Sequence, residues 1–166
     1  MPMPERLGKY RILRLLGAGA MGEVYLAEHE LLRVLHAVKI LPSGVYGSQG
    51  FETRFREEAR IMARLRHPGI VPVHDLDRDE TTGAYFIAMD FVSPDGKSPQ
   101  TLDDLFEQSG GRLSHDRTGE ILLALCDAVA YAHGEGVLHR DIKPSNILID
   151  AGGTVRLADF GLAEIV

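Results

Sequence analysis

Apolar and polar positions change their period along the chain, and the changes mark out its elements. Tyr10–Leu16 (YRILRLL) opens with alternation, and Val24–Ala27 is β-branched and aromatic. Leu35–Leu41 (LHAVKIL), Ile70–Leu76 (IVPVHDL) and Ala84–Val92 (AYFIAMDFV) are apolar runs bounded by turn residues. These five stretches predict strands. Between the third and fourth, Phe51, Phe55, Ala59, Met62 and Leu65 recur at helical spacing and predict a helix over Phe51–Arg66, closed by His67-Pro68-Gly69. Residues 1–92 therefore read as a small antiparallel sheet of five strands with one helix packed on it. Ser93–Gln100 (SPDGKSPQ) has the composition of a linker. Residues 101–166 read as mainly helical. A short helix spans Thr101–Gln108 with Thr101 as N-cap, and a longer one runs from Ser114 to about His133. Ile121, Leu122, Leu125, Ala128, Val129 and Ala132 form the longer helix's core stripe. A hairpin then pairs Ile147–Asp150 with Thr154–Ala158 around Ala151-Gly152-Gly153. The class is α+β.

Composition narrows this little. With 45% hydrophobic and 25% charged residues, the 166-residue chain can bury a core. The single cysteine, Cys126, excludes an internal disulfide and fits a reducing compartment, so a cytoplasmic location is expected. No run reaches the length of a membrane span, and the first ten residues lack the apolar core of a signal peptide. Charge is uneven: residues 1–66 hold 11 Lys/Arg against 7 Asp/Glu, and residues 67–166 hold 7 against 17. That asymmetry fits either two solvated surfaces or two faces of a cleft, and nothing in it argues for nucleic acid. No histidines have metal-ligand spacing.

The candidate chemistry gathers in Val137–Gly161. Folding the hairpin about its turn brings Asn146 beside Asp159, an amide oxygen and a carboxylate that suit a hard cation such as Mg²⁺. Asp141 and Lys143 lie on the loop just before. A second region is the glycine-rich stretch Gly17-Ala18-Gly19-Ala20-Met21-Gly22. The residues after Gly22 predict a strand, which argues against a dinucleotide fold, and no Gly-Lys-Ser/Thr is present for a Walker-type loop. What remains is a strand–turn–strand flap whose amide N–H groups can approach phosphates, or a plain hairpin turn. Lys39 shares a strand face with Ala37, so it points either to solvent or under the flap. Glu58 falls on the apolar face of its helix and needs a partner there, for which Lys39 is the candidate; at the stripe's edge it would instead reach water.

These residues resemble a known set. His139-Arg140-Asp141-Ile142-Lys143-Pro144-Ser145-Asn146 resembles the protein-kinase catalytic loop, and Asp159-Phe160-Gly161 resembles its magnesium-binding triplet. The Lys-Pro-x-Asn form is that of the serine/threonine branch. Gly17, Gly19, Gly22 and Val24 match the family's glycine-rich loop, and Ala37-Val38-Lys39 its lysine strand. The resemblance implies a kinase N-lobe over 1–92, a hinge over 93–100 and a partial C-lobe over 101–166. It implies ATP and Mg²⁺ as cofactors and a protein Ser/Thr hydroxyl as acceptor. By resemblance, ATP is bound by Leu16, Gly17, Ala18, Gly19, Ala20, Met21, Gly22, Glu23, Val24, Ala37, Lys39, Met89, Asp90, Val92 and Leu148. Glu58 fixes Lys39, Asn146 and Asp159 hold the metal, Lys143 balances charge at the γ-phosphate, and Asp141 takes or orients the hydroxyl proton. Phe160 is expected to join Met62, Val73 and His139 in a packed column. The ribose carboxylate stays open between Asp103 and Asp104.

The sequence stops five residues after Gly161, before the family's activation segment and later helices. It is expected to be the N-terminal portion of a serine/threonine kinase, weakly active or inactive by itself. A non-catalytic ATP-binding module and a small-molecule phosphotransferase are the alternatives.

Overall fold

A computed structural model describes residues 4–19, 22–46 and 50–160, apart from the side chains of Val45, Glu58 and Ala59. Ala20, Met21 and Gly161, named above as candidate residues, lie outside them. The chain forms two compact units. Among the described residues, those up to Ala63, with Val73–Phe91, make the first; Arg64–Pro72 and residues 92–160 make the second.

The first unit is an antiparallel sheet in the order β1-β2-β3-β4-β6-β5. Its strands are β1 (Arg6–Leu7), β2 (Tyr10–Gly19), β3 (Gly22–His29), β4 (Leu35–Ile40), β5 (Val73–Arg78) and β6 (Tyr85–Asp90). There are six strands where the pattern gave five. β1 is a two-residue strand on Tyr10 and Arg11, too short to show a period. β2 runs past Leu16 to Gly19, because pairing with β3 continues to Gly19↔Gly22. One face buries Leu7, Tyr10, Ile12, Tyr25, Ala27, Val38, Phe86 and Ala88 together, which is why these strands pair in this register. At the β5–β6 turn, the buried Asp79 accepts hydrogen bonds from Thr82 N and Oγ1 (both 2.8 Å) and, across the sheet, from Gly8 N (2.9 Å).

The stretch Ile70–Leu76, expected as one strand, is divided. Pro72 has no N–H to give a ladder. Ile70 and Val71 are buried in the second unit, where Val71 N donates to Leu157 O (2.9 Å) and Leu157 N to Gly69 O (2.8 Å). The helix α1 (Phe51–Met62) is likewise shorter than Phe51–Arg66. The Arg66 N–H donates to the Tyr131 hydroxyl (3.0 Å) instead of a carbonyl one turn back, and Pro68 disfavours helical backbone before it.

The second unit contains α2 (Leu102–Gln108), α3 (His115–Gly134) and the hairpin β7 (Ile147–Ile149) with β8 (Val155–Leu157). Thr101 caps α2 in a capping box: its hydroxyl accepts from Asp104 N (3.2 Å) and Asp104 Oδ2 accepts from Thr101 N (2.7 Å). Ser114 caps α3 through Arg117 N. α3 buries only Ile121, Ala128 and Ala132. Leu122, placed on the core stripe by the pattern, is 55% exposed. It sits about 100° around the helix from Ile121, off the line that meets β8. Cys126 is exposed on the same helix. The hairpin's strands are each one or two residues shorter than expected. Asp150 keeps a backbone bond across the hairpin, N–H to Thr154 O (3.0 Å), while its side chain caps the turn, Oδ1 accepting from Gly152 N and Thr154 N (both 2.9 Å).

Candidate active site

The second unit assembles the loop Val137–Asn146 against the hairpin. His139 is 2% exposed, and its two ring nitrogens have separate tasks. Nδ1 accepts the Asp141 backbone N–H (3.2 Å), so it carries no proton, and Nε2–H donates to Ala158 O (2.7 Å). Both bonds exist only in the neutral Nε2–H tautomer. Burial pushes the His139 pKa down, which agrees with a neutral ring. The ring meets Phe160 edge-on at 4.5 Å between centroids.

Ala158 fixes the other side of the loop as well, since its N–H donates to Asn146 O (2.8 Å). The residue just before Asp159 is thus bonded to both His139 and Asn146. Asp159 (φ 62°) and Arg140 (φ 65°) both hold left-handed backbone, which non-glycine residues adopt at a cost and which here re-aims the chain at both ends of the cluster.

Within the loop, Asp141 Oδ2 accepts from Lys143 Nζ (2.7 Å) and from Asn146 Nδ2 (3.0 Å). The Lys143 ammonium, with help from the Asn146 amide, holds the Asp141 carboxyl below the usual carboxylate range. Asn146 Nδ2 also donates to Asp141 O (2.8 Å). With the amide nitrogen turned to Asp141, the remaining donor to a cation is Oδ1, a hard oxygen of the kind Mg²⁺ takes. Asn146 is itself 8% exposed and held by the single turn of 3₁₀ helix Pro144–Asn146. Among the described residues, no three His, Cys, Asp or Glu side chains are grouped to hold a metal; an Asn–Asp pair completed by phosphate oxygens needs no such group.

The first unit carries the remaining candidates. Lys39 is 3% exposed on β4, which removes the solvent-facing alternative. It lies opposite Val24 on β3 and Ile87 on β6. Ala37, two residues earlier, lies opposite Leu26 and Met89 and is buried, as is Met89. Gly17 pairs with Val24 and Ala18 with Glu23, so the flap is a continuation of the β2–β3 ladder. Gly22 has φ +112°, and a Cβ there would lie 1.9 Å from Ile40 O, so only glycine fits. At Gly17 and Gly19, by contrast, a Cβ would meet nothing within 4 Å. Leu16 is half-buried, and Glu23 accepts the Tyr25 hydroxyl (2.7 Å). Asp90 ends β6 with its carboxylate on His74 Nε2 (2.5 Å), and Val92 is buried. Glu58 lies on α1, but its side chain is outside the described set. In the second unit Leu148 is half-buried on β7, bridged to Thr101.

The structure thus brings Asp141, Lys143 and Asn146 into direct hydrogen bonding and ties Ala158, the residue before Asp159, to Asn146; Ala37, Lys39, Val24 and Met89 meet on the sheet. The pattern missed the role of the Ala158 backbone, for which no side-chain signal exists, and the capping by Asp150, which the Asp-Ala-Gly-Gly turn could have signalled. The linker also has a hub of its own. Asp95 Oδ1 accepts from Ser93 Oγ (2.9 Å), Lys97 N (2.8 Å) and Ser98 N (2.9 Å), bonds that hold its pKa at about 2. Asp104 Oδ2 is committed to Thr101, while Asp103 is exposed.

Comparison with known proteins gives one answer. Residues 10–166 match the model of the protein kinase domain. A probable serine/threonine-protein kinase of Streptomyces coelicolor is 39% identical over 99% of the chain, and the serine/threonine-protein kinase PknF of Mycobacterium tuberculosis is 41% identical over 98%. The chain spans 24% and 34% of those two relatives. Among solved structures, the kinase domain of PknI from M. tuberculosis superposes with a TM-score of 0.81 at 34% identity, over 94% of this chain and 59% of that one. A double-mutant form of the same domain gives 0.85 at 32%, over 98% and 63%.

Proposed function

The chain belongs to the protein kinase domain family, and from that premise we propose that it moves the γ-phosphoryl group of ATP to serine or threonine hydroxyls of proteins. The observation that carries the reading is the Asp141–Lys143–Asn146 cluster, hydrogen-bonded internally and joined through Ala158 to Asp159.

Each residue has a task that its chemistry suits. Asn146 Oδ1 and the Asp159 carboxylate would hold Mg²⁺, which when bound neutralises phosphate charge. Lys39 would hold the α- and β-phosphates, steadied by Glu58. Gly17 and Gly19 leave open space on their own side, so the need for glycine there is met by close approach of a phosphate to the backbone. Met89 would back the adenine, with the Asp90 and Val92 backbones on its edge and Val24, Ala37 and Leu148 on its faces. Asp141, already ionised and already held by Lys143, orients the acceptor hydroxyl. The hydroxyl oxygen attacks the γ-phosphorus, the bond from that phosphorus to the β-bridging oxygen breaks, ADP leaves, and the hydroxyl proton passes to the Asp141 carboxylate. Lys143 would balance charge on the moving group. Positioning and charge placement supply the catalysis, as phosphoryl transfer requires.

The reading is tested by incubating the full-length protein that carries this sequence with ATP, Mg²⁺ and a basic protein. Phosphoserine or phosphothreonine that disappears with Asp141→Asn, while ATP still binds, is expected. ATP binding with no transfer would instead make this a nucleotide-binding module, and transfer to sugars or amines in preference to protein would make it a small-molecule phosphotransferase.

A further inference from the structure

One residue in the first unit joins the strand that carries Lys39 to the helix that carries Glu58. Tyr85 opens β6. Its carbonyl accepts the N–H of Leu41 (2.9 Å), two residues beyond Lys39. Its hydroxyl donates to Glu52 Oε1 in the first turn of α1 (2.6 Å). Its ring packs edge-on against Phe51 (4.9 Å) and Phe55 (5.0 Å), both buried on α1. Tyr46, on the segment between β4 and α1, completes the joint. Its hydroxyl accepts Tyr85 N (3.3 Å) and donates to Leu41 O (2.6 Å). Glu58 follows Phe51 by seven residues, two helical turns, and so shares its phase on α1.

We propose that Tyr85 is a positioning residue for the phosphoryl-transfer reaction, setting the rotation and height of α1 against β4 through its hydroxyl bond to Glu52. The proposal rests on the kinase reading above, in which Glu58 must face Lys39. Tyr85 is buried but lies outside the sheet-core cluster that Phe86 and Val38 fill, and its charge-assisted bond runs to an exposed glutamate in the helix's first turn. What it controls is where the helix sits. Without it, the ring still packs on Phe51 and Phe55, but α1 is free to slide along those apolar contacts, which have no direction of their own.

The test is a kinetic cycle on the full-length protein that carries this sequence, with rates normalised to folded protein. Tyr85→Phe keeps the ring and removes the hydroxyl, and Glu52→Ala removes the acceptor from an exposed site. Each is expected to lower kcat about tenfold with KM for the protein substrate unchanged, and the double variant to lose no more than either single one. Glu52→Gln, whose amide oxygen still accepts, should retain most of the rate. Unchanged kcat in both single variants, or losses that multiply, would overturn the proposal. Should Tyr85→Phe fail to fold, Glu52→Ala decides alone by the same criterion. Lys39→Ala is the control: wild-type transfer that survives it, or no wild-type transfer at all, sinks the kinase reading and this proposal with it.

Discussion

Asp141 takes two hydrogen bonds on one carboxylate oxygen, from Lys143 and Asn146, and so serves the site ionised. On the proposed function, its lowered pKa would make it orient the incoming hydroxyl more than pull the proton early. Asp141→Asn keeps the shape and removes the charge. The expected result is a fall in kcat of about 10²–10⁴, with ATP affinity changed only a few-fold, read from steady-state rates and a binding isotherm. His139 titrates below a surface histidine, because burial disfavours its charged form. Its neutral form alone can accept from Asp141 N and donate to Ala158, and burial lowers its folded pKa. A group with a lowered folded pKa contributes its full stability above the ordinary histidine value, about 6.5, and loses it as pH falls towards the folded value. Melting temperature should therefore drop on acidification below pH of about 6.5. His139→Gln, which cannot titrate yet keeps an N–H for Ala158, should show a shallower drop; an unchanged slope would place the acid sensitivity elsewhere.

At the scale of elements, the flap and the turns separate packing from function. Gly22→Ala would force a Cβ against Ile40 O at a left-handed φ, and is expected to cost about 2 kcal/mol or more in a denaturant melt. Gly17→Ala meets no atom, so it should leave the melt within about 0.5 kcal/mol while weakening ATP binding. Equal effects of the two substitutions on stability would contradict that division. Asp79→Ala should cost about 1–3 kcal/mol, because Gly8 N and Thr82 N then lose their buried acceptor. Asp79 also shows what the pattern could not read. The strands, α1 and the hairpin were legible because Phe51, Phe55, Ile147 and Val155 repeat at clear spacings. Their ends were not, because long-range partners set them: Tyr131 claims Arg66 N, Leu157 claims Val71, and the Asp150 side chain caps its turn. Leu122 was misplaced because helical phase alone cannot say how wide a buried stripe is. The cluster at 139–159 was legible because its spacing is local, with only a hairpin between its halves, whereas the Tyr85–Glu52 bond joins residues 33 apart and leaves no mark in the sequence.

At the scale of the whole molecule, each of the two units brings a different part of the chemistry. On the proposed function, the first would supply glycine backbone and the buried Lys39 for phosphates, and the second would supply the carboxylates and the amide for metal and acceptor. Among the described residues, no helix is long and apolar enough to cross a membrane. The proposed function requires Asn146 and Asp159 to bring magnesium-bound ATP to Asp141. Phosphoryl transfer measured across a range of Mg²⁺ concentrations, wild type beside Asp159→Asn, tests it most directly. Asparagine tolerates the left-handed backbone at this position, so the fold should persist and only the charge is lost. The account expects a Mg²⁺ requirement raised at least about tenfold together with slower transfer at saturation. Transfer with the same Mg²⁺ dependence and rate in both proteins would contradict it.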